Sequence, residues 1–132
     1  MKRWYQEKNS PAVGTYLCST NDIPLNGVME FSFGKQKKNL FRMFLYNDEG
    51  YIRAYMNVCP HFDVPLNVQP GEMFTSDRRQ FMCAIHYAKF NLHDGHCTEG
   101  PCKGVGLEPI PLHIIDGDIY VGEEIIETVK ID

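Results

Sequence analysis

Apolar and polar residues alternate with a period of two along much of the chain, as in Val28-Met29-Glu30-Phe31-Ser32-Phe33 and Phe41-Arg42-Met43-Phe44-Leu45-Tyr46. That period puts successive side chains on opposite faces of an extended backbone, so these segments are predicted β-strands. Turn-forming residues fall between them at Pro24-Leu25-Asn26-Gly27, Asn47-Asp48-Glu49-Gly50, Gln69-Pro70-Gly71, His93-Asp94-Gly95 and Asp116-Gly117. The clearest hairpins join 40–46 to 51–58 and 107–115 to 118–121, the second turning at Asp116-Gly117. Short strands broken by frequent turns imply an all-β fold, an antiparallel sandwich or small barrel. Only segment 123–130 leaves its element open, a short helical turn or an edge strand, because its β-branched and acidic residues point in different directions. With no internal repeat or Ser/Pro-rich linker, the 132 residues are read as one domain, 1–132.

Composition removes several classes of function. The longest apolar runs are a few residues, against the roughly 20 that cross a bilayer, so no membrane span is expected. Polar residues follow Met1-Lys2-Arg3-Trp4-Tyr5 where a signal peptide needs an apolar stretch, which points to the cytoplasm. A net charge of -4 lacks the basic surplus that a phosphate backbone attracts, so nucleic acid is not an expected partner. The cluster Lys35, Lys37 and Lys38 reads as a solvated loop. Five cysteines in a reducing compartment are better metal ligands or buried thiols than disulfides.

Two segments then carry the chemistry, Asn57-Val58-Cys59-Pro60-His61-Phe62 and Phe81-Met82-Cys83-Ala84-Ile85-His86-Tyr87. Each ends a predicted strand and offers one thiolate and one imidazole, as C-x-H and then C-x-x-H, with 21 residues from Phe62 to Met82 between them. A tight loop at a strand end lets both side chains of a pair face a common centre, which strand alternation denies to the C-x-x-H pair. Zinc competes for a set of two cysteines and two histidines, but zinc fingers group like ligands together. Interleaved types suit a two-iron site to which each loop gives its cysteine at one iron and its histidine at the other.

The spacing, with the flanking Cys59-Pro60-His61 and Cys83-Ala84-Ile85-His86-Tyr87-Ala88-Lys89-Phe90, resembles the Rieske family. The likeness continues through Phe90, Leu92, Asp94-Gly95, Cys97, Gly100-Pro101 and 107–111, and upstream at Asp22-Ile23-Pro24-Leu25-Asn26-Gly27, covering about residues 13–122. The resemblance implies the Rieske fold, an antiparallel β-sandwich or barrel framework with a small cluster-binding subdomain, here about 57–102. It also implies one [2Fe-2S] cluster on Cys59, His61, Cys83 and His86. Two departures stand out. The spacer is a few residues longer than the commonest, and Tyr87 stands where glycine often follows the second histidine, so the backbone there is expected to do without easy access to positive φ.

Respiratory-chain Rieske proteins carry a second cysteine in each ligand loop and join them in a disulfide; the corresponding positions here are Val64 and Ile85. Their sulfur-directed serine and tyrosine hydroxyls correspond to Ala88 and Phe90. Losing two donors to the cluster sulfurs destabilises the more negative reduced state, which places the potential toward the lower part of the Rieske range, about -150 to +300 mV. The low end resembles the ferredoxins that pass electrons from a flavin reductase to an oxygenase. The expected function is therefore a soluble one-electron carrier with protein redox partners. The competing reading is a small subunit or regulatory module of a larger oxidoreductase with the same fold.

The remaining candidates are read as structural. Cys97 and Cys102 bracket Thr98-Glu99-Gly100-Pro101 and are taken as thiols beside a turn in preference to an extra metal site or a labile disulfide. Cys18 reads as core, His93, His96 and His113 as surface or turn residues, and Phe31, Phe33, Phe41 and Phe44 as core packing.

Overall fold

The computed structural model describes residues 3–35, 39–60, 63–85, 87–102 and 104–123, together with the backbone of 129–130. Among the described residues ten strands carry the fold: β1 (Tyr16–Ser19), β2 (Val28–Phe33), β3 (Phe41–Asp48), β4 (Tyr51–Met56), β5 (Gln80–Met82), β6 (Lys89–Asn91), β7 (Cys97–Glu99), β8 (Leu112–Ile115), β9 (Asp118–Val121) and β10 (Val129–Lys130). Among the described residues the helices are two single 3₁₀ turns, Trp4–Gln6 and Thr20–Asp22. The strands form three sheets in the orders β1-β9-β8, β10-β4-β3-β2 and β5-β6-β7, and every pairing is antiparallel. The predicted all-β architecture is what the chain adopts. No helix among the described residues is long and apolar enough to cross a membrane.

Both predicted hairpins form. β3 pairs β4 from Met43↔Met56 to Asp48↔Tyr51, closed by Glu49 (φ 52) and Gly50 (φ 95). β8 pairs β9 from Leu112↔Val121 to Ile115↔Asp118, closed by Asp116 (φ 50) and Gly117 (φ 82). Two central residues at positive φ match the twist of the flanking strands. The expected strand over 107–115 starts only at Leu112, because Pro109 and Pro111 have no N–H to offer a ladder. Of the open segment at the end of the chain, Val129–Lys130 pairs with β4 as an edge strand, and 124–128 lie outside the described residues. Lys37 and Lys38 also lie outside them.

The middle of the four-stranded sheet is covered on both sides, and this explains the unbroken apolar run Met43-Phe44-Leu45-Tyr46 in β3. Met43 and Leu45 face one core together with Ile52, Ala54 and Met56 of β4, Leu17 and Cys18 of β1, Leu112 of β8, and Ile119 and Val121 of β9. Phe44 and Tyr46, on the other face of β3, enter a second core with Tyr55, Phe81, Phe90, Leu66 and Met73. The period of two therefore separates two apolar surroundings in β3, where a half-exposed strand would separate core from solvent. Phe41 and Phe44 are buried as expected, Phe31 and Phe33 partly so, and Cys18 is a core thiol.

The small sheet β5-β6-β7 is fastened to the framework by aromatic rings. Phe81 of β5 packs edge-on against Phe44 (5.1 Å between centroids), Tyr46 (5.4 Å) and Tyr55 (5.9 Å). The Tyr55 hydroxyl donates to the Leu92 carbonyl at 3.1 Å. Gly95, at φ 73, closes the turn beside that ring, and a Cβ there would stand 2.8 Å from the Tyr55 ring edge, so both backbone and space demand glycine.

Candidate metal centre

Cys59 lies three residues beyond β4 and Cys83 immediately after β5, so each predicted ligand cysteine does follow a strand. The two loops that follow have the same hydrogen-bond plan. In the first, the Cys59 N–H donates to the Val64 carbonyl (2.7 Å), and the Asp63 N–H donates back to the Cys59 carbonyl (2.8 Å). In the second, the Cys83 N–H donates to the Ala88 carbonyl (2.8 Å), and the Tyr87 N–H donates back to the Cys83 carbonyl (2.9 Å). The fifth residue counted from each cysteine is left-handed, Asp63 at φ 57 and Tyr87 at φ 59.

The expectation for Tyr87 is thereby corrected. Its backbone takes positive φ despite the side chain, turning the chain back so that the Ala88 carbonyl accepts from the Cys83 N–H while the Tyr87 N–H bonds the Cys83 carbonyl, at a strain of about 1–2 kcal/mol for a non-glycine residue. The side chain is 65% exposed, so it meets no packing penalty in that position.

A further bond ties the loops to each other, from the Ala84 N–H to the Leu66 carbonyl at 2.8 Å. Cys59 and Cys83 have no exposed surface and share a core with Leu66, Ala88 and Phe90. All five cysteines are thiols, none bridged, and Val64 and Ile85 stand in the loops where the respiratory type would have a pair of cysteines. The two histidines assigned with them, His61 and His86, lie outside the described residues. In sequence, His61 is the third residue counted from Cys59 and His86 the fourth counted from Cys83. The donor set fits a two-iron cluster in its chemistry: a pair of soft sulfur donors removed from water, on matched loops tied by the Ala84–Leu66 bond. By contrast His93, His96 and His113 are exposed on turns and a strand, as expected.

What the sequence reading missed is the support of the first loop. Asn57 is buried, and its side-chain oxygen accepts from the Leu66 N–H (2.9 Å). Its amide nitrogen donates to Asn67 Oδ1 (2.8 Å), and its backbone N–H donates to the Arg42 carbonyl (2.8 Å). Glu30 of β2 completes the network, accepting from the Asn67 amide (3.0 Å) through Oε1 and from the Gly71 N–H (2.6 Å) through Oε2. The long spacer is thus clamped to the framework by one carboxylate. Its sequence signal was only a polar residue on an alternating strand, which reads as a solvent-facing position.

Cys97 and Cys102 close the same core from below, with their sulfurs 2.6 Å apart. Burial pushes the Cys102 thiol up to about 12, and its contact with Cys97 and the nearby Cys59 sulfur add to the rise.

A family model described as Rieske [2Fe-2S] domain matches residues 14–113. Among solved structures, the chain is similar to the ferredoxin of carbazole 1,9a-dioxygenase from Nocardioides aromaticivorans IC177, with TM-score 0.63 and 15% identity over 86% of this chain and 100% of that one. It is also similar to a ferredoxin from Sphingomonas yanoikuyae B1 (TM-score 0.58, 19% identity, 84% and 99% covered). A third match is a chain from the complex of reduced oxygenase and oxidized ferredoxin in carbazole 1,9a-dioxygenase, with TM-score 0.64, 20% identity and 88% and 98% covered. None of the curated proteins compared with the chain matches it in sequence.

Proposed function

The chain belongs to the Rieske [2Fe-2S] domain family, whose cofactor is one [2Fe-2S] cluster, and on that premise we propose that it is a one-electron carrier that takes electrons from a flavin reductase and passes them to an oxygenase or similar redox enzyme. Cys59, His61, Cys83 and His86 would hold the cluster, two residues from each loop. The observation that carries this reading is the matched pair of loops with both cysteines sealed from water. The cluster supplies a centre that gains and loses single electrons. The chain's own residues hold it and keep it dry: Leu66, Ala88 and Phe90 pack around the sulfurs, and the Asn57–Glu30 clamp holds the first loop in register.

Supporting the carrier role, the chain spans nearly the whole length of stand-alone ferredoxins. One of the matched chains comes from a complex of a reduced oxygenase with its oxidized ferredoxin. Ile85 and Tyr87, on either side of position 86, are 49% and 65% exposed, an apolar rim suited to a transient protein contact. The compartment that fits its unbridged thiols is the cytoplasm.

Ala88 and Phe90 are buried beside the cysteines and bring no hydroxyl, so the midpoint is expected below about +100 mV, in the lower part of the family range. The deciding experiment is an EPR spectrum of the dithionite-reduced protein. Mixed histidine and cysteine ligation lowers the average g-value relative to an all-cysteine cluster; a spectrum of the all-cysteine type, or a protein with zinc in place of iron and sulfide, overturns the assignment.

A further inference from the structure

We propose that Cys97 and Cys102 are a redox modification site, a dithiol that hydrogen peroxide closes to a disulfide and a thiol reductant reopens, set in the wall behind the ligand loops. The two sulfurs stand 2.6 Å apart, so bond formation at about 2.0 Å asks for a movement of roughly half an ångström. The backbone enforces the approach. The Cys97 N–H donates to the Val105 carbonyl (2.7 Å), and the Val105 N–H donates to the Cys102 carbonyl (3.0 Å), which folds the Gly100-Pro101 turn back over the pair. Both thiols are nearly fully buried, at 1% and 3% exposure, while the turn that joins them, Glu99-Gly100-Pro101, is exposed, so opening of that turn is the route by which peroxide would reach them.

The chemistry balances in two steps. The Cys97 sulfur takes hydroxyl from peroxide as the O–O bond breaks, giving a sulfenic acid and one water. The second sulfur then attacks the first, the S–O bond breaks, and a second water leaves with the remaining thiol proton. Two thiols and one peroxide become a disulfide and two waters, and the sulfurs lose two electrons in all. A lone buried cysteine has no partner to resolve its sulfenic acid and proceeds to the irreversible sulfinic state; a partner already in contact stops the sequence at the reversible disulfide. The site adjoins the metal centre, since a Cβ added at Gly100 would lie 3.0 Å from Ala88, the residue that accepts the Cys83 N–H bond.

The test reads thiol state alone, so it stands apart from the electron-carrier reading. The holoprotein is treated with a few equivalents of hydrogen peroxide, denatured in acid with N-ethylmaleimide and digested with trypsin. Cleavage after Lys89 and Lys103 releases 90–103, a peptide that carries Cys97 and Cys102 and no other cysteine. The expected result is a peptide two hydrogens lighter that takes no maleimide, and that takes two after dithiothreitol. In Cys102→Ser the same dose leaves Cys97 as sulfinic or sulfonic acid. A wild-type peptide that still takes two maleimides at a dose that bleaches the cluster's visible absorption overturns the proposal, as does a Cys102→Ser peptide whose Cys97 remains fully alkylatable.

Discussion

The two ligand loops share one backbone plan yet hang from different supports. The second is the tip of the β5-β6 hairpin, where Met82↔Lys89 is the last ladder pair before Cys83, and main-chain bonds suffice to define it. The first begins three residues beyond β4 and is not part of a hairpin among the described residues, so side chains do the work of a ladder: the buried Asn57 holds the Leu66 N–H, and the exposed Glu30 of β2 holds Asn67 and Gly71. Equal geometry at a metal site can therefore come from a local hairpin on one side and a long-range polar clamp on the other. The clamp concentrates its strength in single side chains, which makes the first loop the more fragile of the two.

That asymmetry is broken most directly at Asn57. Asn57→Ala leaves the buried Leu66 N–H without its acceptor and is expected to cost about 1–3 kcal/mol of stability, measured by denaturant unfolding, and to speed cluster loss. A cost within a few tenths of a kcal/mol would mean that the first loop, like the second, is held by its backbone. The fifth positions after the two cysteines, Val64 and Ala88, sharpen the comparison electronically. A hydroxyl at the fully buried Ala88 should raise the midpoint by about 40 mV in Ala88→Ser, taking about 1 kcal/mol in favour of the reduced cluster and 59 mV per tenfold for one electron. Val64 is partly exposed and water competes there, so Val64→Ser should shift the midpoint less; voltammetry of both variants ranks them, and the reverse order removes the argument.

The smallest effect lies at the left-handed residues. Tyr87→Gly relieves strain at φ 59 and loses some of the gain to the freer unfolded chain, for a net stabilisation of about 0.5 kcal/mol. Asp63→Gly should give less, because aspartate tolerates that region better than tyrosine. Thermal unfolding of the two variants side by side checks the order.

Local chemistry along the chain was enough to announce the strands and the turns at Glu49-Gly50 and Asp116-Gly117, and it singled out the C-x-H and C-x-x-H segments proposed as ligands, because alternation, positive-φ turn residues and short spacings are properties of neighbouring residues. Four features were decided only by tertiary structure. β3 is buried on both faces because a second sheet covers it, which its own alternation cannot report. Tyr87 adopts positive φ because a loop closed from both ends outweighs the preference of one residue. Glu30, a surface residue by its strand pattern, anchors the first ligand loop, and Cys97 meets Cys102 sulfur to sulfur, because contacts across a folded chain depend on where distant segments are brought and not on what stands beside them in sequence.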